Sequence, residues 1–133
     1  ACVSPIGIFF GRIANFINGE LIGKTTNASW GVIFPNTDMF ARHPSQIYEA
    51  LLEGIVLFFI LNIFICKKNY KTGSCSFLFL IFYGFFRIFS EMFREPDPQL
   101  GYLFNLFSMG TILSFLMILS GIIIFVLSRK NEI

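Results

Sequence analysis

The chain has 133 residues, of which 55% are hydrophobic and only 14% charged, with 19 Phe and a mean hydropathy of +0.71. Soluble domains run at about 45–50% apolar and about 25% charged residues, and a soluble body this small could not cover so much apolar surface, so lipid is the expected solvent. The net charge of +2 comes without a basic patch interleaved with aromatics, which excludes nucleic acid as a partner.

The chain opens on Ala1 and enters an apolar stretch at once, with no basic leader, cleavage site or lipidation signal before it. This predicts a fragment whose upstream part lies outside the sequence. Ile6 to Ile17 is apolar but too short for a complete span and carries Arg12 and Asn15, so it predicts a truncated or re-entrant helix. Pro44 fits the first turn of a helix, and Ile47 to Cys66, interrupted by Glu49 and Glu53 near its start, predicts a full crossing. That run ends at Lys67, Lys68 and Lys71, a basic loop of the kind retained in the cytoplasm. Gly73 and Ser74 break the chain, and Phe77 to Phe93 predicts the next crossing, apolar in bulk with a polar stripe. Phe104 to Leu127 holds no ionisable residue and exceeds the roughly 20 residues a helix needs to cross the hydrocarbon. Arg129 and Lys130 close it with cations that favour the cytoplasmic face.

The expected fold is all-α: a polytopic membrane protein, one membrane domain over residues 1–133, with about three transmembrane helices after the short N-terminal segment. Two crossings separate the basic loop from the basic tail, so both lie on one side, the inside. The stretches Gly19 to His43 and Arg94 to Gly101 then face outward together. No internal repeat or low-complexity tract divides the chain.

An ionisable group at membrane depth costs at least roughly 2.5–3.5 kcal/mol, so each one asks for a partner or a function. Tyr83, Arg87 and Glu91, at successive steps of four, share a helix face, and Arg94 and Glu95 continue it. At about 1.5 Å per residue from Phe77, Arg87 lies about 15 Å and Glu91 about 21 Å into the crossing, in its outer half. Two readings fit: an anion site that opens outward, or a buried pair that only holds helices together.

Arg12 and Asn15 share a face if their segment is helical, and a planar guanidinium beside an amide suits a phosphate ester. An interfacial Arg that snorkels to headgroups fits the same spacing. Glu49 and Glu53, also four apart, form a polar face expected near the outer interface. His43 is the only imidazole, suited to proton transfer or to a capping hydrogen bond. Cys2, Cys66 and Cys75 are an odd count without metal-ligand spacing, so no metal site, cofactor or disulfide framework is expected.

Four stretches carry a resemblance. The pattern G-R-x-x-N-F-x-N-x-E-x-x-G runs from Gly11 to Gly23, HPSQIYEALLEG from His43 to Gly54, YGFFRIFSEMFREPD from Tyr83 to Asp97, and SMGTILS from Ser108. In this order they resemble the signature blocks of the prolipoprotein diacylglyceryl transferases, over nearly the whole chain. The family's upstream half, with its His-Gly-Gly segment, is not in this sequence, and Leu116 stands where the family usually has Pro.

The resemblance implies a bacterial inner-membrane enzyme that moves the diacylglyceryl group from phosphatidylglycerol to the lipobox cysteine thiol of a preprolipoprotein, releasing glycerol phosphate. It implies Arg12 as the phospholipid-binding arginine, supported by Asn15, Glu20 and Gly23, and Tyr83, Arg87 and Glu91 as the essential polar helix. The acceptor thiol must lose its proton and the leaving phosphate must be held as an anion. Arg12 and Arg87 are therefore expected to clamp the phosphate, with Glu91 and Glu20 orienting them. The base is left open among an upstream histidine, His43 and Tyr83. A transporter segment and a non-catalytic phospholipid-binding fragment are the alternatives, although transporters place their polar groups near the midplane and often repeat.

Overall fold

The computed structural model describes residues 1–66, 73–96, 99, 102–103 and 107–130. Helix α1, Ser4–Asn18, has proline in its first turn, where a missing N–H costs nothing. It stops at Gly19, whose φ of +67° lets its N–H reach back to the Asn15 and Phe16 carbonyls. Its 15 residues span about 22 Å, short of a full crossing, as the sequence predicts.

Pro44 caps α2, Ser45–Glu49, which runs unbroken into a π-helical segment, Ala50–Val56, and then α3, Leu57–Cys66. Helix α4, Ser74–Glu91, follows Gly73, and α5 covers Met109–Lys130. Among the described residues, three stretches are long and apolar enough to cross a membrane: Ser45–Ile63, Ser74–Glu91 and Met109–Lys130. The expected third crossing from Phe104 begins instead at Met109, because Ser108 caps that helix; residues 104–106 lie outside the described residues, as do Lys67, Lys68 and Lys71.

Small strands interrupt the helical pattern. β1, Val32–Ile33, pairs antiparallel with β2, Ala41–Arg42, and β3, Tyr102–Leu103, with β4, Phe107–Ser108. Two stretches expected to share one side do meet. Gly23 bridges Arg94, the Lys24 N–H donates to the Phe93 carbonyl at 2.9 Å, and the Glu95 N–H donates to the Ile22 carbonyl at 3.1 Å.

Burial runs opposite to that of a soluble domain. Gln46, Glu49, Glu53, Ser90 and Ser114 are fully buried, while Phe85, Phe89, Leu113, Phe115, Leu116 and Leu119 are exposed. Apolar side chains face outward because lipid solvates them, and polar ones must find partners inside. Helices α4 and α5 pack antiparallel through small residues. A Cβ on Gly84 would lie 2.6 Å from Ile118 Cγ1, and one on Gly121 2.8 Å from Ile81 Cγ1. On the other side of the bundle, Gly54 of the π-helical segment admits Phe9 of α1 just as closely.

Candidate functional site

Where α1, α2 and α4 meet, the buried charges form one cluster. Arg12 of α1 places Nε 2.8 Å from Glu49 Oε2 and Nη2 3.6 Å from Glu53 Oε2. Arg87 of α4 places Nη1 3.2 Å from the same Glu49 oxygen and 3.9 Å from Glu53 Oε1, and Nη2 2.8 Å from Glu91 Oε1. Both guanidiniums therefore turn inward: Arg12 does not snorkel, and Arg87 joins helices through Glu49 as well as pairing along its own helix. Tyr83 faces the same group, with Glu53, Arg87 and Arg12 as its charged neighbours.

Glu91 links the cluster to α5. Its Oε2 accepts from the Ser108 hydroxyl at 3.0 Å, and Ser108 Oγ in turn accepts from the Thr111 N–H at 3.2 Å, capping the helix. The carboxylate thus lies at the positive end of α5, over Gly110, where a Cβ would overlap it. Arg94 approaches Glu91 Oε1 at 3.4 Å, and burial together with the nearby Arg87 lowers its pKa from the ordinary value. Three guanidiniums and three carboxylates pack here in a medium that penalises any one left unpaired.

The family model described as prolipoprotein diacylglyceryl transferase matches residues 1–127. The chain belongs to this family. Similar proteins include two named phosphatidylglycerol–prolipoprotein diacylglyceryl transferase from Rickettsia bellii (strain OSU 85-389), 57% identical over 100% of this chain and 51% of that protein, and from Ehrlichia ruminantium (strain Welgevonden), 54% identical over 98% and 52%. A third, of the same name, from Rickettsia rickettsii (strain Sheila Smith), is 58% identical over 91% of this chain and 48% of that protein. The chain spans about half the length of the curated relatives it matches. With its three long apolar helices, this member of the transferase family is a membrane protein.

Of the residues singled out by the family's signatures, Arg12, Tyr83, Arg87 and Glu91 come together, and the others do not join them. The Glu20 side chain is exposed, and it is the Glu20 backbone carbonyl that is used, accepting from Gln46 Nε2 at 2.7 Å. The expectation that Glu20 orients an arginine is therefore corrected, since Glu49 and Glu53 take that place. Asn15 contributes its carbonyl to the end of α1. Gly23 is a close-approach glycine: a Cβ there would overlap the His43 carbonyl and come 2.8 Å from the Phe93 carbonyl.

His43 lies in an aromatic group beside the cluster. Its Nδ1 is 3.1 Å from Tyr48 Oη, its ring packs edge-on to Phe93 at 5.2 Å, and Tyr48 Oη also accepts from the Trp30 indole at 2.7 Å. Glu49 and Glu53, expected as a polar face, are 1% and 0% exposed, that face turning inward onto α1 and α4. The signal that would have placed them is the absence of any cation on their own helix. Two carboxylates in an apolar run require cations from elsewhere, and Arg12 and Arg87 are the membrane-depth candidates.

Among the described residues no group of His, Cys, Asp and Glu is arranged to hold a metal ion. The charge available to meet an anion is that of the arginines.

Proposed function

We propose that the full-length protein transfers the diacylglyceryl group of phosphatidylglycerol to the lipobox cysteine of a preprolipoprotein. The acceptor sulfur attacks the glyceryl carbon that bears the phosphate, a C–S thioether bond forms, the C–O bond breaks, and glycerol phosphate leaves with the electron pair. The thiol proton passes to a base. Arg12 and Arg87 bind the phosphodiester and stabilise the charge that grows on it, while Glu91 orients Arg87. Of His43 and Tyr83, Tyr83 is the candidate base set among those charges; an upstream histidine is the alternative.

The observation that carries this reading is the convergence of Arg12 and Arg87 on one point, within 2.8 and 3.2 Å of the same oxygen. Two guanidiniums so placed match a phosphate, and the relatives' shared name supports both substrates. The protein is proposed to lie in the bacterial inner membrane with the cluster toward the periplasm and the C-terminus in the cytoplasm, following the positive-inside pattern of Arg129 and Lys130.

The test is mass spectrometry of a lipobox peptide incubated with the full-length protein in phosphatidylglycerol vesicles. A peptide carrying a diacylglyceryl thioether is expected. Phosphatidylglycerol binding without the adduct would reduce the protein to a phospholipid-binding one, and neither would end the reading.

A further inference from the structure

Two guanidiniums at membrane depth repel one another, and little water is present to screen them. Arg12 and Arg87 nevertheless meet, and the group between them is Glu49, whose Oε2 lies 2.8 Å from one and 3.2 Å from the other. Its side chain is 2% exposed, so bulk solvent does not replace it. Glu53 makes the same link more loosely, and Glu91 reaches only one of the two. Glu53 stands farther from both guanidiniums than Glu49 does, at 3.6 Å and 3.9 Å. Glu91 pairs with Arg87 and Arg94 on its own side of the cluster.

Glu49 is fixed from behind. It is the last residue of α2, and the start of that helix is tied to the segment after α1 by Gln46 Nε2 on the Glu20 carbonyl, at 2.7 Å, and by Ser45 Oγ on the Leu21 carbonyl, at 3.4 Å. Immediately beyond it the helix widens into the π-helical segment Ala50–Val56, a local form that recurs at functional sites. The same chain that ends α1 thus sets where Glu49 stands opposite Arg12.

We infer that Glu49 is the positioning residue of a two-arginine phosphate clamp, its carboxylate holding the guanidiniums of α1 and α4 at one point so that a lipid phosphate meets both at once. This rests on the transfer reading above. Arg12 gives Nε and Nη2 to its ion pairs and Arg87 gives Nη1 and Nη2, so Arg12 Nη1 and Arg87 Nε take no part in them. Each guanidinium has five N–H donors, and pinning one edge of each leaves donors in a fixed arrangement for the substrate.

The experiment compares Glu49→Gln and Glu49→Asp with the wild-type full-length protein in phosphatidylglycerol vesicles, measuring kcat and a separate KM for the phospholipid and for the lipobox peptide. Gln keeps the shape and removes the charge, so the phospholipid KM should rise about 10- to 100-fold while the peptide KM stays put. Asp keeps the charge on a shorter arm and should give a smaller rise. A residue that serves packing alone would lower the folded fraction in thermal unfolding but leave the phospholipid KM of the folded protein unchanged; that result overturns the inference. Where Glu49→Gln does not fold, the Asp variant decides by the same criterion. Should the wild type form no adduct, the transfer reading fails by itself, and phosphatidylglycerol affinity becomes the readout: weaker binding by the variant upholds the inference, equal binding overturns it.

Discussion

The Ser108 hydroxyl donates to Glu91 Oε2 at 3.0 Å, so the residue that caps α5 also holds the carboxylate that pairs with Arg87. One side chain therefore caps a helix and anchors a charge. This accounts for the Ser-Met-Gly order at positions 108–110: the serine is the cap, and the glycine leaves room for the carboxylate above the helix end.

Gly110→Ala tests that arrangement. The new methyl would take the space of the Glu91 carboxylate, which must then shift from Arg87. Small displacements of this kind cost up to about 100-fold in rate, so kcat/KM for thioether formation should fall by about 10- to 100-fold with helix content by circular dichroism unchanged. Wild-type turnover would mean that Glu91 has room to move without consequence.

Arg12→Lys and Arg12→Ala probe the proposed phosphate clamp directly. Removing one donor group from a site that stabilises developing charge typically costs about 100- to 1000-fold, and Arg12→Ala should lose at least that in kcat/KM. Lysine retains the charge but cannot reach Glu49 and a phosphate with separate planar donors, so Arg12→Lys should recover only a minor part. Steady-state assay of both variants, matched for folded protein, measures the difference.

The crossings were legible because an unbroken apolar run has one physical meaning in lipid, and Arg12 and Arg87 stood out because a buried charge needs a reason. The partner of each arginine was not legible. Spacing places Glu49 and Glu53 on a common helix face but carries no information on which helix that face meets, and here it meets α1 and α4. The place of Glu20 was hidden for a related reason: spacing does not tell that its backbone carbonyl, and not its exposed side chain, meets Gln46. The short strands were invisible because two-residue pairings such as Val32–Ile33 with Ala41–Arg42 have no periodicity to detect. The start of α5 shifted because a single serine cap overrides an apolar run that continues on both sides of it.

Gly23→Ala should act on folding. Its methyl would overlap the backbone carbonyls of His43 and Phe93, and neither can rotate away as a side chain could. Overpacking of this kind costs about 1–3 kcal/mol or more, so a clear fall in Tm is expected in detergent-solubilised protein, larger than that of Gly7→Ala, where the space is open.

His43→Gln separates two roles for the imidazole. The ring contacts Tyr48 and Phe93 and makes none of the ion pairs of the charged cluster, which fits a hydrogen-bonding support better than a base. Turnover should fall by less than about tenfold, below the roughly 100- to 10,000-fold supplied by a general base, and the pH–rate profile should keep its shape. Loss of the profile's basic or acidic limb in this variant would return His43 to proton transfer.

Acid should loosen the segment between α1 and α2. Asp38 accepts from Arg42 Nη2 at 2.5 Å and from Nε at 3.3 Å, and this pairing, chiefly its hydrogen bond, holds the Asp38 pKa below its ordinary 3.8. A carboxylate with a depressed folded-state pKa contributes stability that is present above the unfolded value and lost as pH falls through the folded one. The contribution is therefore intact above about pH 4 and disappears only below it. Trp30, the chain's one tryptophan, sits in the same segment and bonds to Tyr48. Its emission in the purified chain should change on titration below pH 4, and Asp38→Asn should show the loosened signal at neutral pH already. An emission curve in which the variant and the wild type coincide throughout would show that the Asp38–Arg42 pair does not hold this segment in place.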